Sequence, residues 1–305
     1  MKPDLSEFSY GFALTNELVG WTALRTAPMF PSLIEEGRAG GGYDVKLDRP
    51  GVPLFLQFKR SECIGRTSGR EHRAVLAVKG RLDVPYHRFD LMASEAFDQH
   101  EMLPALDDGS NEVFYAAPRF HRVTQLDAAW RRRLVAAETA FFAPRQIGPV
   151  DPGLHRVAFD ERRSWLCSDP KAIDALTASD LQVRLSGLLA ERAEPLQETL
   201  RRLPSALEEA ERSGREKARN RRAMADRSDD GIVGYELRRE TGARSITGEA
   251  TDETSRPPEG PPPRIRTPDP LEDINAEALR SVAEHALRAF GSQLMIVQNR
   301  SEADG

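Results

Sequence analysis

Asp44, Gln57 and Lys59 are residue types that handle hard cations and water, and their spacing places them on one surface. Tyr43-Asp44-Val45-Lys46-Leu47 alternates as a strand does, and Leu54-Phe55-Leu56-Gln57-Phe58-Lys59 forms a second, more apolar strand. Residues two apart in a strand share a face. If the two strands pair, Tyr43, Val45, Leu47, Leu54, Leu56 and Phe58 point to the core, while Asp44, Gln57 and Lys59 project from the opposite side. A carboxylate, an amide oxygen and an ammonium converging on a rigid sheet can hold a hard cation and steer a water beside it. Gly40, Gly41 and Gly42, just upstream, would let a bulky ligand approach the backbone. Taken singly, each residue has an ordinary explanation: Lys59-Arg60 as a solvated strand edge, Asp44 as a polar strand residue after a glycine turn. Their shared face gives them a joint meaning.

These strands need a scaffold. Ser6 to Arg25 is predicted helical, with Leu14, Leu18 and Trp21 along one stripe, and Pro28 and Pro31 then break the chain. Pro53 to Arg60 bounds the second strand, and Ala74 to Val78 and Pro85 to Met92 are further strand candidates. Gln99 to Leu106 reads as a short helix ended near Asp107, Asp108 and Gly109; Gln99 and His100 at its start either face the same cleft or serve as cap and surface. Glu112 to Ala117 is a predicted strand, and Thr124 to about Phe142 a helix. Mixed element types predict an α/β or α+β domain over residues 1–178. Leu181, Leu185, Leu188, Leu196, Leu200, Leu203 and Leu207 give 179–227 a helical period, divided into two or three helices at Pro195 and Pro204. Seven of the 21 prolines crowd between Pro257 and Pro270, so 228–273 is read as a disordered linker. Over 274–305 a last amphipathic helix carries Leu279, Val282, Ala286 and Phe290, Gly291 ends it, and Gln293 to Gln298 form a short strand.

Glu17 on an opening helix, Asp44 on one strand, Gln57-Phe58-Lys59 on the next, then a helix and the strand Val113 to Ala116, together resemble the PD-(D/E)xK nuclease superfamily, with its restriction-endonuclease-like fold. The second acidic position is Gln57, a QxK variant similar to that of the Mrr-type nucleases. The resemblance covers roughly residues 6–145. It implies a central mixed sheet flanked by helices, here with a C-terminal helical appendage, and metal-dependent hydrolysis of DNA in bacterial defence or restriction. On it, Asp44, the Gln57 side-chain oxygen and the Phe58 main-chain carbonyl would hold Mg²⁺ or Mn²⁺, Lys59 would position the attacking water, and Glu17 would be the helical acid. A Gln in place of a carboxylate removes one negative charge. It therefore favours a second class of function, a catalytically inactive nuclease-like protein that binds nucleic acid or serves as a scaffold subunit.

From Lys59 to Arg88 eight basic residues stand against three acidic ones. Arg60, Arg66, Arg70, Arg73, Lys79 and Arg81 are the candidate nucleic-acid contacts, and Gly65 to Arg70 is either a loop that closes on phosphates or a solubilising loop. A second basic run, Arg212 to Arg227, either tracks a nucleic-acid backbone or is a solvated helix face. The C-terminal helices would bind DNA, a protein partner or a second copy of the chain. The net charge of −5 argues against blanket adhesion to nucleic acid. Scattered histidines, two cysteines and no phosphate-cradling glycine motif disfavour a metalloprotease helix, a self-contained zinc site, and nucleotide or dinucleotide chemistry. No apolar run reaches membrane-spanning length, and a cytoplasmic protein is expected.

Overall fold

The structure, a computed structural model, describes residues 1–21, 24–29, 45–93, 99–229 and 270–300. Its elements run α1 (Glu7–Val19), β1 (Leu24–Met29), β2 (Val52–Phe58), β3 (Glu62–Ile64), α2 (Arg70–Ala77), β4 (Tyr86–Ala93), α3 (Gln99–Leu106), β5 (Glu112–Pro118), α4 (Val123–Arg131), β6 (Thr139–Phe142), α5 (Pro144–Ile147), β7 (Gly153–Phe159), β8 (Ser164–Leu166), β9 (Lys171–Ile173), α6 (Ala178–Glu191), α7 (Leu196–Asp229), α8 (Pro270–Phe290) and β10 (Gln293–Asn299). The fold is α+β. One sheet is mixed, in the order β1-β10-β2-β5-β6, and the other, β3-β4-β7-β8-β9, is antiparallel throughout.

The mixed sheet is the middle layer. Leu54, Leu56, Phe114, Met295 and Val297 pack on one face against α1, α4 and α6. Phe55, Val113, Tyr115, Leu294 and Ile296 pack on the other against α3, α7, α8 and the second sheet. Burial on both faces explains why β2, β5 and β10 read as nearly continuous apolar runs. Pro28 sits within β1, an edge strand, where a residue without an N–H is tolerated. Ser6 caps α1 by accepting the Ser9 N–H, and Gly20 ends it.

Tyr43 and Asp44 of the strand expected over Tyr43–Leu47 lie outside the described residues. Residues 45–47 are not a strand, and β2 is already paired with β10 on one edge and β5 on the other. Val45 and Leu47 pack on the core instead, and the Lys46 N–H donates to Gln298 Oε1. Ala74–Val78 falls mainly in helix α2, because Val75 alone of its apolar residues turns inward while Leu76 and Val78 are exposed. The helix expected over Thr124–Phe142 ends near Arg132; Arg133 takes a positive φ of 55°, and the chain returns as β6. Pro195 separates α6 from α7, whereas Pro204 lies inside α7. The proline-rich stretch 228–273 falls largely outside the described residues.

The C-terminal segment, expected as an appendage, is a central part of the fold. β10 lies between β1 and β2, antiparallel to both. Gly291 at φ +61° lets the chain leave α8 and enter β10, with the Gly291 and Ser292 N–H groups turned back onto the Leu287 and Ala286 carbonyls. No helix among the described residues is long and apolar enough to cross a membrane. Ile296 is 1% exposed in this strand, so Ile296→Ala is expected to lower the unfolding free energy by about 2–5 kcal/mol. Urea denaturation measures it; a loss under about 0.5 kcal/mol, typical of a surface change, would restore the appendage view.

Candidate functional site

The parallel ladder of β2 and β5 sets Gln57 opposite Tyr115, and the Lys59 N–H extends it by donating to the Ala116 carbonyl at 2.9 Å. Gln57 and Lys59 share a face, as the alternation predicts, and open on a cavity of about 490 Å³. Glu7, Asp90, Arg60, Arg88, Gln99 and His100 also line it. The Lys59 ammonium lies 5.3 Å from the centroid of the Tyr115 ring. A cation over an aromatic face regains part of what burial takes away. Burial nevertheless holds the ammonium below the ordinary lysine value, with the Glu7 and Asp90 carboxylates opposing that shift.

Gln57 is 5% exposed. Its Nε2 donates to Gln99 Oε1 at 2.9 Å and to the Phe290 carbonyl at 3.2 Å. A carbonyl only accepts, so the amide orientation is settled by chemistry: the nitrogen faces Phe290, and Oε1 has no hydrogen-bond partner among the described residues. Gly291 lies close by, and a Cβ there would stand 3.0 Å from the Nε2 atoms of both Gln57 and Gln99. The terminus of α8 therefore reaches the site.

A second chain of contacts backs Lys59. His100 Nε2 lies 2.7 Å from the Gly148 carbonyl, and His100 Nδ1 lies 2.7 Å from the Tyr115 hydroxyl. The carbonyl requires the proton on Nε2, so Nδ1 accepts from Tyr115. Burial pushes the His100 imidazole down to about 4. One wall is a charge network: Arg88 pairs with Glu62 (2.6 Å) and Glu71 (2.5 Å), and Arg156 pairs with Glu71 (3.3 Å) and Asp90 (3.1 Å).

The other sequence-derived residues fare differently. Asp44 lies outside the described residues. Glu17 is not in the cleft: its carboxylate accepts the Val135 and Ala136 N–H groups at 3.0 and 2.8 Å, tying α1 to the segment before β6. Glu7, in the first turn of that helix, lines the cleft instead. The Phe58 ring turns away, edge-on to Tyr10 and against Gly11. Of the six basic candidates only Arg60 lines the cleft; Arg66, Arg70, Arg73, Lys79 and Arg81 are exposed on α2 and its flanking loops. In the second basic run, Arg212, Arg215 and Arg221 pair with Glu209, Glu211 and Glu101.

Asp90 and Glu7 are residues that sequence reasoning missed. Asp90 had a signal, since Tyr86-His87-Arg88-Phe89-Asp90-Leu91 alternates like the strand that carries Gln57. A separate group of potential metal ligands, Cys63, His87 and His121, has its ligand atoms all within 4.8 Å of one another. Comparison of the chain with family models, with curated proteins and with solved structures returns no match.

His100 predicts acid lability. The folded protein holds it neutral down to about pH 4, whereas an unfolded histidine protonates near 6.5. Its contribution is complete above that value and is lost as pH falls from 6.5 towards 4, on the order of 3 kcal/mol. Urea denaturation at several pH values should show His100→Gln less stable at neutral pH but with a flatter pH dependence across this window; an unchanged slope refutes the assignment.

Proposed function

We propose that the chain is a metal-dependent nuclease that hydrolyses phosphodiester bonds in DNA, with the cleft at the carboxyl end of β2 as its active site. The observation that carries this reading is the placement of Lys59 and Gln57, whose Oε1 has no hydrogen-bond partner among the described residues, on one face of one strand end, both lining the same cavity. That oxygen is a hard donor, as Mg²⁺ or Mn²⁺ requires, and Glu7 and Asp90 add carboxylates to the cleft. In this reading Asp44, Gln57 Oε1 and the Phe58 carbonyl hold the ion, and Glu7 takes the part of the helical acid. When bound, the ion would polarise a phosphate oxygen and make water a better nucleophile.

Lys59 has two tasks. Its ammonium neutralises the charge that grows on the phosphoryl oxygens in the transition state, and its N–H groups orient the attacking water. Burial strengthens the first, because less solvent screens the charge. Arg60 at the rim and the exposed Arg66, Arg70, Arg73, Lys79 and Arg81 supply phosphate contacts along the duplex.

The substitution of an amide for a carboxylate at position 57 favours the second reading, a nuclease-like protein that binds nucleic acid, or scaffolds an assembly, without cutting. One experiment separates the two. Cleavage of linear and supercoiled DNA is followed with Mg²⁺ or Mn²⁺ for the wild type, Asp44→Ala and Lys59→Met. The nuclease reading expects each substitution to lower the rate by at least about 100-fold. Lys59→Met should unfold no earlier than wild type, since it removes a half-buried ammonium. Equal cutting by all three proteins overturns the site, and DNA binding without cutting by the wild type selects the second reading.

A further inference from the structure

We propose that Cys63, His87 and His121 form a site for one thiophilic divalent metal ion of the zinc type, set where the two sheets meet. Cys63 on β3 and His87 on β4 are directly opposite in the antiparallel register, so their side chains stand side by side on one face. His121 comes from the other sheet, three residues beyond the end of β5. It is held by its backbone: its carbonyl accepts the Asp4 N–H at 3.0 Å, and its N–H donates to Gln125 Oε1 at 3.1 Å.

The ring of His121 points to a ligand. The residue is 4% exposed, and neither ring nitrogen has a hydrogen-bond partner among the described residues. A buried polar atom left without a partner costs about 1–3 kcal/mol, and a metal ion would satisfy one nitrogen directly. Cys63 is 6% exposed, and the rings of His87 and His121 lie 6.4 Å apart, centroid to centroid. Ligand atoms within 4.8 Å of one another need only close to the roughly 3.3–3.8 Å that zinc bonds of about 2.0–2.3 Å impose, a matter of side-chain rotation.

The donor set selects the metal. One thiolate and two imidazoles suit zinc, cobalt or copper and not the oxygen-seeking ions of the cleft. On binding, a sulfur–metal bond replaces the Cys63 S–H bond and the proton leaves to solvent. Three protein ligands leave a fourth position for water. The bound ion would join the paired strands β3 and β4 of one sheet to the segment after β5 of the other, and so act as a staple.

The test uses the full chain, stripped of metal by a chelator. It is titrated with Zn²⁺ against a chromogenic chelator and separately with Co²⁺, whose thiolate bond gives a near-ultraviolet charge-transfer band. Expected are one equivalent of Zn²⁺ per chain, the thiolate band, and a higher unfolding temperature with Zn²⁺. Cys63→Ser and His121→Asn should each weaken binding by at least about 100-fold, while His155→Asn, on β7, should not. Should either variant fail to fold, the cobalt spectrum of the wild type with His87→Gln decides. Absence of stoichiometric binding, absence of the thiolate band, or Cys63→Ser binding as tightly as wild type each overturns the proposal. The readouts are of metal binding and of stability, so the result is independent of whether the cleft cuts DNA.

Discussion

A strand buried on both faces can send its N–H and C=O groups only to neighbouring strands, and β2 finds those neighbours far away in sequence. Gln293–Val297 of β10 meets one edge and Glu112–Ala116 of β5 meets the other. Much of the structure follows from that pairing. It places Leu54 and Leu56 under α1 and Phe55 under the second sheet, so one strand joins two cores. It also draws α8 inward, where Phe290 is fully buried and its carbonyl reaches Gln57. The mixed sheet is complete only when the last segment of the chain is seated.

The cleft arises where that pairing stops. β10 begins at Gln293, opposite Leu56, whereas β5 continues to Ala116, opposite Phe58. Beyond Leu56 the named ladder of β2 has a neighbour on one edge only, and the chain there is free to border a cavity. Gln57 and Lys59 are the residues at that point. Holding an ammonium there is costly, and the surroundings offset the cost with the Tyr115 ring and the Glu7 and Asp90 carboxylates. Tyr115 is in turn held by His100. An arrangement with this electrostatic cost is poor material for a stabilising core, which is the physical ground for treating the cleft as functional.

Local punctuation made some of the fold legible. Gln99–Leu106 and its end near Asp107, the strand at Glu112, and the helix, Gly291 and strand of the last described segment all follow from period and turn residues. The common face of Gln57 and Lys59 follows from a period of two. What the sequence withheld was partnership. Tyr43–Leu47 has the pattern of a hairpin strand, but nothing local shows that both edges of β2 are claimed by β5 and β10. Val75-Leu76-Ala77-Val78 is apolar enough for a strand or a short helix, and the length of such a run does not decide between them. Glu7 and Glu17 sit on the same helix, and only packing separates the one beside the cleft from the one bound to Val135 and Ala136.

The second group of chemistry-bearing residues is linked to the first through one short ladder. Glu62 pairs with Arg88 and borders the cleft, while the next rung, Cys63 with His87, faces the opposite way, towards His121. A slip of one residue in an antiparallel pair sends every side chain of the slipped strand to the other face. It would bring a Glu62 carboxylate towards the imidazoles and a Cys63 thiol towards the cleft, and it would break the 2.6 Å ion pair of Glu62 with Arg88. Arg88 is also committed to Glu71 on α2. The register of β3 is therefore held by charge on one face, and that register sets Cys63 beside His87 on the other. Neither set of residues can be rebuilt without regard to the other.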